Sequence, residues 1–152
     1  MSSEAGARMI DVGAKAPTDR TATAEARLTT RPDVIDRVRA GGVEKGDPLR
    51  ISEVAGIQGM KKTADLLPLC HPIGINGAEV HAEIESDRTL RVVATARTHD
   101  RTGVEMEALT GVSIAALCLY DMLKRYDPAI VVGPIRLLEK TGGKSGVWQP
   151  EE

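Results

Sequence analysis

The chain has 152 residues, enough for one domain with a real core and short for two. Hydrophobic residues make up 41% and charged residues 28%, the balance of a folded globular protein, and the net charge is −2. That charge, with aromatics at 2% and no Phe, excludes the basic, ring-rich surface of a general nucleic-acid binder. The core must be built from Leu, Ile, Val, Ala and Met. Aliphatic side chains bury less area apiece than rings, so assembly with copies of itself is expected.

Residues 1–20 mix small, polar and charged types without period and are expected to form a mobile arm. Alternation over residues 21–30 predicts a strand, and Arg31-Pro32-Asp33 opens a short helix over 34–40 that Gly41 and Gly42 close. A turn at 45–48 precedes a second helix over about 50–67, ended by the prolines at 68 and 72. Residues 74–85 and 89–98 alternate around Ser86-Asp87-Arg88 and predict a hairpin. The longest helical pattern covers 103–126 and stops at Asp127-Pro128. A last strand covers 129–139, where Pro134 predicts a break or a sheet edge. The order β-α-α-β-β-α-β predicts an α+β, ferredoxin-like sandwich, with helices packed on one face of a four-stranded antiparallel sheet. The expected domains are the arm at 1–20, a single α+β domain at 21–148 and a tail at 149–152.

Cys70 and Cys118 lie far apart in apolar surroundings, which suits reduced thiols better than a disulfide framework. Met1 to Arg8 lack the apolar segment of a signal peptide, and no uninterrupted apolar run approaches the ~20 residues of a bilayer span. A cytoplasmic setting without a membrane is expected. The histidines and cysteines have no ligand spacing, so no metal site is expected.

Two stretches could carry chemistry. In the first, Lys61, Lys62 and Asp65 precede His71, which sits between prolines. Lys61 and Asp65 are i,i+4 neighbours and taken alone fit a plain surface pair better; a His in this setting is either a hydrogen-bonded structural residue or a catalytic one. In the second, Thr110, Ile114, Leu117, Asp121 and Lys124 share one stripe of the long helix. Asp121 and Lys124 stand one turn apart among apolar neighbours, which are expected to lower the Lys124 pKa and make it a proton shuttle. A surface ion pair is the other reading. Lys15, Arg20, Lys45, Lys140 and Lys144 occupy tight or flexible settings, Lys45 on a turn. The run TGGKSG at 141–146 lacks phosphate-loop spacing and is expected to be a solvated tail.

Taken together, MIDVGAKAPTDRTATA at 9–24, KGD at 45–47, AGIQGMKKTADLLPLCHP at 55–72, RTGVEMEALT at 101–110, LYDMLK at 119–124 and LEKTGGKSG at 138–146 form one pattern. It resembles the cyclic pyranopterin monophosphate synthases of molybdenum cofactor biosynthesis, with small departures at 98–100 and at Gly111. The resemblance implies a ferredoxin-like fold, a homohexamer of three dimers, and active sites at dimer interfaces. It implies conversion of 3′,8-cyclo-7,8-dihydroguanosine 5′-triphosphate to cyclic pyranopterin monophosphate and pyrophosphate. Asp121, Lys124 and Lys45 would be catalytic. Leu69, Cys70 and His71 would form one substrate-contacting segment, Met106 and Glu107 another, and Arg20, Lys61 and Lys62 would contact phosphate or position it.

The residue chemistry fits such a reaction. Repeated proton transfers suit lysines beside a carboxylate, and clustered Lys and Arg stabilise a departing pyrophosphate with no cofactor. The competing expectation is a non-catalytic, phosphate-ligand-binding ferredoxin-like module. It would keep the cations but would not need Asp121 within reach of Lys124.

Overall fold

The structure, a computed structural model, describes residues 6–151; the first five residues of the expected arm and the last residue of the tail lie outside it. Its elements are β1 (Thr18–Thr29), α1 (Pro32–Arg39), α2 (Pro48–Lys61), α3 (Thr63–Leu66), β2 (Gly77–Ile84), β3 (Thr89–Asp100), α4 (Glu105–Leu123) and β4 (Val131–Thr141). The strands pair antiparallel in the order β2-β3-β1-β4, the ferredoxin-like arrangement. Period-two alternation drives this. Ala22, Ala24, Ala26 and Leu28 of β1, and Leu90, Val92, Ala94 and Ala96 of β3, are buried on one face of the two central strands. Their small side chains let α4 lie close, and it buries Ala108, Val112, Ala115 and Leu119 in the same core.

Pro134 lies in β4, which is an edge strand. The register of β1 against β4 shifts between Ala26 and Leu28, where Gly133 and Pro134 form the irregularity, so edge and break occur together. The second helix departs from expectation. It ends at Lys61, Lys62 caps it with non-helical backbone angles, and a separate short α3 follows. The Thr63 hydroxyl donates back to the Met60 carbonyl at 2.8 Å, a local bond that competes with a straight helix. β1 and β3 also extend beyond their expected bounds, pairing Thr18 with Asp100.

α2 and α4 run antiparallel on one side of the sheet. Lys45, just before α2, contacts Asp121 in the last turn of α4, while Lys61 at the end of α2 lies beside Glu107 in its first turn. Close approach needs Gly59, where an added Cβ would lie 2.7 Å from Ile114 Cγ1. α4 has 19 residues and a mean hydropathy of 1.4, long and apolar enough by those measures to cross a bilayer; half of it is buried in this fold.

Candidate active site

The expected site residues fall at opposite ends of α4. At its C-terminal end, Asp121 accepts from two lysines, one on each carboxylate oxygen. Lys45 Nζ donates to Oδ2 at 2.8 Å and to the Asp121 carbonyl at 3.3 Å, and Lys124 Nζ lies 2.9 Å from Oδ1. Lys124 is one turn on, at the helix C-cap, where the macrodipole favours a cation. Lys45 arrives from the loop before α2. That loop turns at Gly46, whose φ of 123° suits glycine, and ends at Asp47, whose side chain caps α2 by accepting from Leu49 and Arg50 amides.

The Lys45 ammonium, then Lys124, hold the Asp121 carboxyl down at about 2, so it is ionised at neutral pH. The hydrogen bond to Asp121 raises the Lys124 pKa in turn. This reverses the expected direction for Lys124. Leu119, Met122 and Leu123 face the core, whereas Leu117, Asp121 and Lys124 are more than half exposed, so pairing outweighs desolvation. The trio lies remote from the His71 corner: Asp121 is ~24 Å along the helix from Glu105 at 1.5 Å per residue.

The N-terminal end of α4 carries the other groups. Leu69, Cys70 and His71 follow α3 and line a cavity of about 600 Å³ with Met106, Ile10 and Val12. His71 Nε2 lies 2.5 Å from the Ile10 carbonyl, so the chain before β1 closes one wall. Burial, then the nearby Glu107 and Glu105 carboxylates, push the Cys70 thiol up, which keeps it protonated rather than nucleophilic.

A second cavity of about 730 Å³ is lined by four cations, Lys15, Arg20, Lys140 and Lys144, together with Gly142 and Gly143. Lys15, Gly103 and Glu105 line both cavities, which therefore adjoin. Glu105 pairs with Lys140 at 3.3 Å. Arg20 is held by the carbonyls of Asp100 and Arg101, at 3.2 and 3.4 Å. The TGGKSG run is thus no dangling tail. Trp148 pairs with Lys140 through two backbone hydrogen bonds of 2.9 and 3.0 Å, folding the glycine-rich loop back over Arg20.

Met106 and Glu107 do not share a cavity. Met106 faces the His71 corner, whereas Glu107 is 3% exposed and lines a separate cavity of about 130 Å³ with Lys61 and Asp65. Burial, with a contribution from Glu105 and against its own backbone amide, pushes the Glu107 carboxyl up to about 7, and its Oε2 has no hydrogen-bond partner among the described residues. Lys61 joins Glu107 there; the exposed Lys62 lines none of these cavities. Lys61 and Asp65 form no ion pair among the described residues.

One chain therefore assembles a carboxylate with two ammonium groups, a largely apolar cavity behind a histidine, and a cationic cup beside it. It does not bring the first to the other two. Lys15, Lys140 and Lys144 were not among the expected site residues, although a lysine flanked by small residues near Arg20, and lysines framing a glycine pair, were visible signals. Among the described residues, no group of three His, Cys, Asp or Glu side chains could hold a metal ion.

A protein of Desulfitobacterium hafniense named cyclic pyranopterin monophosphate synthase is 48% identical over 98% of this chain and 91% of its own length. One of the same name from Pelobacter propionicus is 51% identical over 95% of this chain and 91% of its own. A molybdenum cofactor biosynthesis bifunctional protein of Synechococcus elongatus is 56% identical over 93% of this chain, which spans only 44% of that longer protein. The MoaC family model matches residues 9–143, nearly the whole described fold. The chain belongs to the MoaC family.

Proposed function

We propose that the chain is a lyase of molybdenum cofactor biosynthesis, a cyclic pyranopterin monophosphate synthase that takes 3′,8-cyclo-7,8-dihydroguanosine 5′-triphosphate to cyclic pyranopterin monophosphate and pyrophosphate. The observation that carries this reading is the Lys45–Asp121–Lys124 cluster. A phosphate-binding module has no use for a carboxylate that cancels part of its positive charge, whereas proton transfer does. Asp121, fixed as an anion, orients both ammonium groups and lets each give up and regain a proton against the opening and reclosing ring. The cationic cup suits the triphosphate. When a sugar hydroxyl attacks the innermost phosphorus and the bond to the outer two phosphates breaks, Lys15, Arg20, Lys140 and Lys144 stabilise the charge on the departing pyrophosphate. Leu69, Cys70, His71 and Met106 line the space for the base-derived ring.

The same proposal places the site between copies of the chain. The cluster and the cup lie at opposite ends of a helix, so the cluster of one copy must meet the cup and cavity of another. A homo-oligomer, as a hexamer of three dimers, supplies that geometry. Burial of the cluster against a partner would remove water from Lys124 and offset the raised pKa it has in the single chain. A cytoplasmic setting fits the two free cysteines.

The test is turnover of the purified protein with the cyclic dihydroguanosine triphosphate, following pyrophosphate release and pterin formation together. The parent protein is expected to release one pyrophosphate per pterin. Lys45→Ala and Lys124→Ala should each lose about 10²–10⁴-fold in kcat while retaining substrate binding and assembly. A parent protein that binds the triphosphate without releasing pyrophosphate would be a binding module instead.

A further inference from the structure

Residues 6–17 have no regular secondary structure, yet they wall the His71 cavity and carry Lys15 to the place where it meets the cationic cup. Among the described residues, two hydrogen bonds tie this arm to the rest of the chain. One is His71 to the Ile10 carbonyl. The other is Arg101 Nε, donating to the Lys15 carbonyl at 3.0 Å. Arg101 sits in the loop between β3 and α4, and its amide donates to Asp100 Oδ1 at 2.7 Å, which fixes the turn. The carbonyls of the same two residues hold the Arg20 guanidinium. One turn therefore grips the cup's two N-terminal cations, Arg20 through its carbonyls and Lys15 through a side chain.

We propose that Arg101 is a positioning residue for the polyphosphate: its guanidinium clamps the arm by the Lys15 carbonyl and so sets the Lys15 ammonium at the junction of the two cavities. Arg101 acts through the arm, and its own charge is not the operative feature. Without the clamp the arm hinges about its remaining bond at Ile10 and the start of β1. Lys15 then spends most of its time away from the cup, and binding has to recover the cost of ordering it. This inference rests on the proposed polyphosphate reading of the cup.

The test compares Arg101→Ala with Arg101→Gln, which keeps an N–H donor and discards the charge. Three readouts serve: hydrogen exchange of residues 6–17, affinity for inorganic triphosphate, and kcat with KM for the cyclic substrate. Arg101→Ala is expected to speed exchange across the arm, weaken triphosphate binding about tenfold and raise KM by a similar factor, with kcat within about twofold. Arg101→Gln should recover most of each loss. Unchanged arm exchange in Arg101→Ala, or a Gln variant as weak as Ala, overturns the clamp; the second result would assign the effect to charge. If the parent protein shows no turnover the proposed function falls, while exchange and triphosphate affinity still decide the clamp.

Discussion

Glu107 and Asp121 stand in the first and last turns of one helix, and their carboxyl groups have moved in opposite directions. Glu107 is buried with an orphaned oxygen and sits near 7; Asp121 is half exposed, gripped by two ammonium groups, and sits near 2. Helix position does not explain this, since a helix N-terminus favours an anion and a C-terminus disfavours one. Burial without a partner at one end and pairing without burial at the other outweigh the dipole. The ends differ in kind as well: one carries the cavities and the cationic cup, the other a carboxylate held between two ammonium groups that line none of those cavities. In the proposed assembly, each end supplies what the other lacks.

Mixing variants breaks or secures that complementarity with the largest effect. Chains carrying Lys124→Ala, combined with chains carrying His71→Ala, each nearly inactive alone, should regain roughly a quarter of parental activity, because a mixed pair with twofold symmetry keeps one intact site. Lys45→Ala mixed with Lys124→Ala should regain none, since both lysines belong to the same cluster. Demonstrably mixed oligomers without recovery in the first case would mean that the two ends serve separate purposes.

How much of this was legible follows from how local each feature is. The hairpin of β2 and β3, the edge character around Pro134 and the one-turn spacing of Asp121 and Lys124 are written in neighbouring residues, and the structure has them. The break at Lys62 turns on the Thr63 hydroxyl reaching back to Met60, which a count of apolar periodicity does not see. The direction of the Lys124 shift departs from expectation because Leu119, Met122 and Leu123 lie on the buried side of the helix, while the lysine and its stripe neighbour Leu117 are exposed. The glycine-rich loop is solvated over 144–146 as expected, but its anchor, the pairing of Trp148 with Lys140, is not visible in the sequence because it depends on where the strand puts both. Lys45 joins Asp121 across 76 positions, and residue patterns alone placed it no closer than a turn; the family resemblance brought it to the site.

The buried end makes a sharper prediction about pH. A carboxyl raised from 4.5 to about 7 by folding binds more protons in the native chain than in the unfolded one over that interval, so stability falls as pH rises through it. The loss is about 3 kcal/mol at most and is complete above pH ~7.5. Glu107→Gln cannot ionise and should lack this component. Its urea midpoint relative to the parent, at fixed protein concentration, should rise between pH 5 and pH 8. A constant difference would mean that Glu107 has found a partner in the assembled protein, with Lys61 across the small cavity as the nearest candidate.

Between the two ends, the comparison depends on α4 as a spacer of fixed length and pitch, which Gly59 tests most lightly. An added methyl there would sit 2.7 Å from Ile114 Cγ1 and 2.8 Å from its Cβ. The branch point of a β-branched side chain on a helix cannot swing aside as the tip of a long one can, so α2 and α4 must separate by several tenths of an ångström. Overpacking of this kind costs about 1–3 kcal/mol. Because α2 begins beside Asp121 and ends beside Glu107, the separation should also disturb Lys45 or Lys61, and Gly59→Ala should lose activity beyond its loss of stability. A variant that is less stable yet fully active at low temperature would show that the α2–α4 contact supports the fold without setting the geometry of either end.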